Sequence, residues 1–234
     1  MNRYIVLVAL LIATSFAQAQ SYPKATDVSG IKTGMTFAEA NALALANGYK
    51  LSEKKDFKKT EITPMHTANA FYIKGNPIFI NSSQYEYSLQ LNFSPFSDRV
   101  RQILVVQKPT AISSGEGAWK ALIEKYGEPT NKQSLGGSPI LWSSKASGTP
   151  DTSQSQRCIA RSAREFDFPI NQGCGVSIRA DLRINSNGSL FFLEIALQDY
   201  QIDWDDAVKD NQLRVKEAED EQNKIKNSKK TVNF

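Results

Sequence analysis

The stretch IKTGMTFAEANALALANGYKL, residues 31–51, decides how the rest of the chain is read. Thr36 can cap a helix by accepting the N–H of Glu39, and Glu39 can reach back to the cap, the reciprocal T-x-x-E arrangement. Met35 and Ala40 stand where a hydrophobic staple packs. Phe37, Ala40, Leu43 and Ala44 recur at helical spacing as one apolar stripe. Gly48 ends the helix, because glycine takes the left-handed position beyond the last turn at no steric cost. The stretch therefore predicts a turn at Gly34, a docked helix and the start of a strand.

The same plan returns further on. Ser113 and Glu116 have capping-box spacing, and Trp119, Leu122, Ile123 and Tyr126 form a second stripe at i, i+3, i+4 and i+7. Gly127 and Pro129 stop that helix. Each helix is followed by a long hairpin. In the first, Tyr85, Tyr87, Leu89, Leu91 and Phe93 alternate with polar residues, and Val100 to Val106 returns. In the second, Val176, Ile178, Ala180, Leu182 and Ile184 alternate with polar residues. Asn187-Gly188 forms its turn, and Phe191, Leu193, Ile195 and Leu197 come back along the buried side. Shorter strands are expected near residues 49–53, at 70–73 and 78–80 around a Gly75-Asn76-Pro77 turn, and at 140–142. Residues 143–156 are rich in Ser, Thr, Gly and Pro and read as a loop. The fold class is α+β: two tandem helix-plus-antiparallel-sheet repeats that cover each other's apolar sides. From Trp204 the pattern is helical and highly charged. Positions 204, 208, 211, 215, 218, 222 and 225 form a heptad-like line, too polar for a firm coiled coil. A surface helix held by Trp204 and Val208 and fraying at its end is one reading, and a partner-binding helix is the other.

The chain opens MNRYIVLVALLIATSFAQA, with Arg3, an apolar core and Ala17-Gln18-Ala19 as a small-x-small site. This is the pattern of a secretory signal peptide cleaved after Ala19, and it implies a periplasmic or secreted protein. No cysteine adjoins that site to carry a lipid anchor. Removing a leader whose one charge is Arg3 takes the net charge from +4 to +3 and leaves 215 residues. So mild a charge gives no nucleic-acid footprint; the one basic patch, KKDFKKT at residues 54–60, reads as a solvated turn, and no later stretch is apolar enough to span a membrane. The expected division is signal peptide 1–19, leader 20–30, first αβ repeat 31–108, second αβ repeat 109–200, and charged C-terminal helix and tail 201–234. In an oxidising compartment Cys158 and Cys174 are expected to pair as a disulfide.

The phrase I-x-x-G-M-T-x-x-E-A … G-Y at residues 31–49 resembles the opening helix of the exported β-lactamase-inhibitor-protein-like fold, which includes small lipoproteins of outer-membrane assembly. Lys125–Thr130, KYGEPT, is similar to phrases in uncharacterised periplasmic families. The resemblance implies paired helix-over-sheet repeats and binding through sheet faces and loops. It transfers no functional residue, because the matched positions are caps and core.

Motifs of phosphate, dinucleotide and zinc-protease chemistry are absent, as is the serine-hydrolase elbow. His66 is the single histidine, so a Ser or Cys nucleophile has one possible base. No metal set or cofactor motif is seen. Asp203, Asp205 and Asp206 lack the glycine and terminal Glu of a calcium loop and suit a helix N-terminus. The candidate surface is the polar face of the second hairpin, Arg179, Asp181, Arg183 and Glu194, with Arg157, Arg161 and Arg164 in the adjoining segment. Arginine suits bidentate capture of carboxylates and phosphates. The function expected is a non-catalytic exported binding module for a protein or anionic cell-envelope component, of inhibitor, immunity or assembly-factor type. The alternative is a hydrolase of an envelope polymer acting through carboxylates such as Asp181 and Glu194.

Overall fold

The computed structural model describes residues 23–55, 68–80, 83–109, 113–130, 139–143 and 175–230. Residues 1–19, expected as a signal peptide, together with His66, Cys158, Cys174, Arg157, Arg161 and Arg164 lie outside them. In chain order the elements are β1 (Asp27–Val28), β2 (Ile31–Lys32), α1 (Phe37–Ala46), β3 (Lys50–Lys55), β4 (Asn69–Ile80), β5 (Ser83–Phe93) and β6 (Val100–Gln107). Then come β7 (Ser113–Ser114), α2 (Gly115–Tyr126), β8 (Ile140–Ser143), β9 (Val176–Ile184), β10 (Ser189–Asp199) and α3 (Tyr200–Lys230).

The fold is α+β with a helix ahead of an antiparallel meander in each half. The strands run β3-β4-β5-β6-β10-β9-β8, with β7 added on β10. The halves therefore join edge to edge through β6 and β10, where Val105 pairs with Ile195 and Ile103 with Leu197. This corrects the expectation of two slabs covering each other. One continuous sheet forms instead, and α1 and α2 close a single core on one of its faces. Leu89, Leu91, Ile103, Val105, Leu193, Ile195, Leu197, Ile178 and Ala180 point into that core beside Ala40, Ala44, Leu122 and Tyr126. Strand alternation explains why one residue in two along β5, β6, β9 and β10 goes there.

The α1 caps are as the residues dictate. Thr36 accepts from Glu39 N, Glu39 Oε2 accepts from Thr36 N at 2.8 Å, and Gly48 sits at φ +81°. In α2 the cap is Ser114 rather than Ser113, which belongs to β7; Ser114 Oγ accepts from Gly117 N at 3.1 Å. Glu116 pairs with Lys120 instead of closing a box. Residues 69–80 form one strand rather than two, with the register shifting around Gly75 at φ +83°. Phe191 is not on the core side. A bulge between Leu190 and Phe192 re-aims the strand and leaves Phe191 43% exposed.

The leader is also more than a tail. Ser29 and Gly30, both at positive φ, make the tight turn of a β1–β2 hairpin, and Val28 and Ile31 are buried in the core. Asp27 binds Lys125 Nζ at 2.9 Å and its carbonyl accepts from Tyr126 Oη at 3.0 Å. The hairpin ahead of α1 is thus fastened to α2, across the line expected to divide the repeats. Trp142, fully buried, stacks obliquely on Tyr126 at 5.5 Å and donates to the Gly127 carbonyl at 2.8 Å.

Two glycines of α2 give opposite predictions. A Cβ at Gly115 would lie 2.5 Å from Ile184 Cδ1 and 2.7 Å from Cγ1, whereas at Gly117 it meets Ser114 Cβ at an ordinary 3.5 Å. Gly117→Ala is expected to stabilise by about 0.5–1 kcal/mol through helix propensity. Gly115→Ala is expected to destabilise by about 1–3 kcal/mol through overpacking. Urea unfolding of the two variants checks the sign of each.

Candidate functional site

The face of the sheet opposite α1 and α2 is not uniformly wet. Cross-strand pairing lines up Asn92, Gln102, Gln198 and Ser177 across β5, β6, β10 and β9, and all four are buried. Gln90 Nε2 donates to Asn92 Oδ1 at 2.9 Å, and Asn92 Nδ2 donates to Gln102 Oε1 at 2.6 Å. Beside this row Leu104 and Ala196 make a small apolar cluster of their own.

The first turns of α3 lie against this face, and acids hold them there. Asp199 caps the helix by accepting from Gln201 N at 3.0 Å and Ile202 N at 3.4 Å. Asp203 Oδ1 accepts from Arg101 at 3.0 Å, and its Oδ2 accepts from Gln198 Nε2 at 2.7 Å. Asp206 Oδ1 accepts from Ser94 Oγ at 2.6 Å, and the same Oγ accepts from Phe96 N and Ser97 N in the β5–β6 turn. This replaces the expected anchoring by Trp204 and Val208. Trp204 is half-buried, Val208 is 39% exposed, and the buried residues of the helix are Tyr200, Asp203 and Asp206. The helix also runs unbroken to Lys230.

Burial pushes the Asp203 carboxyl above its ordinary range, although Arg101 and Gln198 pull the other way. Burial likewise raises Asp206, against the Ser94 hydrogen bond and the Arg101 charge. Asp206 Oδ2 is buried without a hydrogen-bond partner. Among the described residues no group of three or more His, Cys, Asp or Glu is placed to hold a metal ion.

Further along the face stand the residues singled out from the sequence. Arg179 lies between Ala196 of β10 and Leu141 of β8, Asp181 is opposite Glu194, and Arg183 is opposite Phe192. The structure thus places Arg179, Asp181, Arg183 and Glu194 together on one surface. Arg183 reaches Asp181 at 3.6 Å and sits over the Phe192 ring at 4.8 Å, a guanidinium–aromatic contact. Arg179 is half-buried, and its Nε is shielded from water without an acceptor. The acids Asp181 and Glu194 are neighbours on one sheet surface, with Asp181 already engaged by Arg183.

No local pattern foretells the Arg101–Asp203 and Ser94–Asp206 contacts, which join residues about a hundred positions apart. The one readable signal was the i, i+3 spacing of the two acids, which puts them on one helix side. The chain matches no family model, no curated protein and no solved structure.

Two predictions test the α3 root. A carboxyl whose folded pKa lies above its unfolded value costs stability at high pH, and the cost disappears as the pH falls through the folded value. Asp206→Asn keeps the acceptor for Ser94, so it is expected to melt above the native chain at about pH 7, the gap closing toward about pH 4. A gap independent of pH in calorimetric melts would contradict the raised carboxyl. Asp203→Ala strands the buried Arg101 and is expected to cost about 3–5 kcal/mol, most of it recovered by combining Asp203→Leu with Arg101→Met. Denaturant titration of the single and double variants measures both.

Proposed function

We propose that this chain is an exported, non-catalytic binding module whose Arg179–Asp181–Arg183–Glu194 face captures an acidic protein partner of the cell envelope. The observation that carries the reading is the placing of Arg179, Asp181, Arg183 and Glu194 on one sheet face, two guanidinium groups beside the exposed Phe191. Arg183, held by Asp181 and the Phe192 ring, supplies a second cation already oriented. Phe191, turned outward by the bulge, adds an exposed aromatic beside them. Arginine and aromatic side chains are the residues that dominate interface energies. The leader sequence supports export, and a sheet face carrying paired charges suits recognition of a protein partner. No helix among the described residues is long and apolar enough to cross a membrane.

The test uses tagged full-length protein crosslinked in envelope extracts of its host. Crosslinks are expected on β9 and β10, and Arg179→Ala with Arg183→Ala is expected to reduce partner recovery about tenfold or more, the effect of losing one strong contact. Unchanged recovery, or recovery of an anionic polymer in place of a protein, would end this assignment. Arg179→Met is expected to raise thermal stability by about 1 kcal/mol while weakening capture. Melting curves and capture assays on that one variant separate folding from binding.

A further inference from the structure

Two asparagines of the chain stand immediately before a glycine, Asn47 before Gly48 and Asn187 before Gly188. In such a pair the glycine amide nitrogen can attack the asparagine side-chain carbon, because no Cβ shields it. The fold treats the two pairs differently. Asn47 closes α1, and its Nδ2, the group that would have to leave, donates to the Ser29 carbonyl at 2.8 Å and to the Leu43 carbonyl at 2.9 Å. Its own carbonyl accepts from Lys74 Nζ at 2.9 Å, so backbone and side chain are fixed together. Asn187 sits at the tip of the β9–β10 hairpin, where residues 185–188 are all exposed. Its contact is made by the oxygen: Oδ1 accepts from Ser189 N at 3.0 Å. That N–H stands where the oxygen gathers negative charge during the attack, the placing that lowers the barrier to acyl transfer. Gly188 N, the attacking atom, donates to the Asn185 carbonyl at 2.9 Å. This is the closing bond of a turn, which a large share of turns do without.

We propose that Asn187 is a self-modification site: in the folded chain it converts without an enzyme to aspartyl and isoaspartyl forms, while Asn47 stays an amide. Gly188 N bonds to Asn187 Cγ and gives its proton to water. The Cγ–Nδ2 bond breaks, and the amide leaves as ammonia, taking a proton from water. The five-membered imide so formed adds one water at either of its carbonyls. Opening at one gives aspartate. Opening at the other routes the chain through the side-chain carbon and lengthens the backbone by one methylene. Both products put a carboxylate where a neutral amide stood. The second also disturbs what the turn holds. The Gly188 carbonyl accepts from Gly115 N at 3.0 Å, and Asn185 N donates to the Ser189 carbonyl at 2.8 Å. Ser114, paired with Ser189, is the cap of α2. An added atom between residues 187 and 188 shifts the Gly188 carbonyl against a helix start with no slack, since Gly115 packs on Ile184 too closely to admit a Cβ.

The test ages the full-length folded protein in mildly alkaline buffer, beside a sample unfolded in urea, and maps both by peptide mass spectrometry. In the folded chain, conversion at Asn187 is expected to run about tenfold or more faster than at Asn47. In urea the two sites are expected to convert at like rates, because the contacts that separate them are gone. An isoaspartyl-specific methyltransferase is expected to label the residue-187 peptide of the aged chain and not that of Asn187→Gln, whose longer side chain closes a ring far more slowly. Hydrogen exchange at Gly115 to Gly117 is expected to quicken in the labelled chain, and not in fresh Asn187→Asp, which brings the charge without the methylene. Equal rates at the two asparagines in the folded chain, or a faster Asn47, overturn the proposal. So does an Asn187 that converts in urea and stays an amide when folded. Unchanged exchange in the labelled chain overturns the tie to α2.

Discussion

A charged carboxylate taken out of water between a helix and a sheet is the contact on which the rest of this architecture depends. Asp203 accepts from Arg101 of β6 and from Gln198 of β10, so one side chain touches the two strands that join the halves of the molecule. Desolvating such a pair is costly, and its worth lies less in net energy than in fixing a geometry. Asp206 adds a second tie to the β5–β6 turn through Ser94. Together they set the angle at which α3 leaves the sheet and hence where its exposed length goes.

The two faces of the sheet follow different rules. Beneath α1 and α2, alternation delivers branched and aromatic side chains to one contiguous core, and burial of apolar area is the dominant stabilisation there. Opposite, the same alternation delivers Gln102, Gln198, Asn92 and Ser177, which remain buried because they are hydrogen-bonded or lie against others that are. Among the described residues, buried side-chain atoms without a hydrogen-bond partner include Arg179 Nε and Asp206 Oδ2, both on this second face. Buried polar groups are nearly always paired, which makes these two atoms exceptions among the described residues.

What could be read from the residues was local. The α1 caps, both long hairpins and the placement of Arg179, Asp181, Arg183 and Glu194 on one side follow from spacing and period, which act over a few residues. The misreadings arose where tertiary contacts prevail. Ser113 yields the cap to Ser114 because β7 pairs Ser113 with Leu190. Phe191 leaves the buried side because a single extra residue breaks the alternation. Asp203 and Asp206, read as charges favoured at a helix start, are buried because Arg101 and Ser94 wait more than a hundred residues earlier. The Gly75-Asn76-Pro77 triplet reads as a turn by composition, yet strand pairing on β5 absorbs it as an irregularity.

At the flanks of the sheet the chain looks after its own solubility. β3, the outermost of the described strands on one side, carries Lys50 and Lys54, both exposed, with Lys54 Nζ drawn over the Phe37 ring at 4.3 Å. β8, outermost on the other side, is only four residues long. Lysine-studded or abbreviated borders discourage a neighbour's backbone from zipping on. At these described rims, sheet growth between copies is thereby disfavoured.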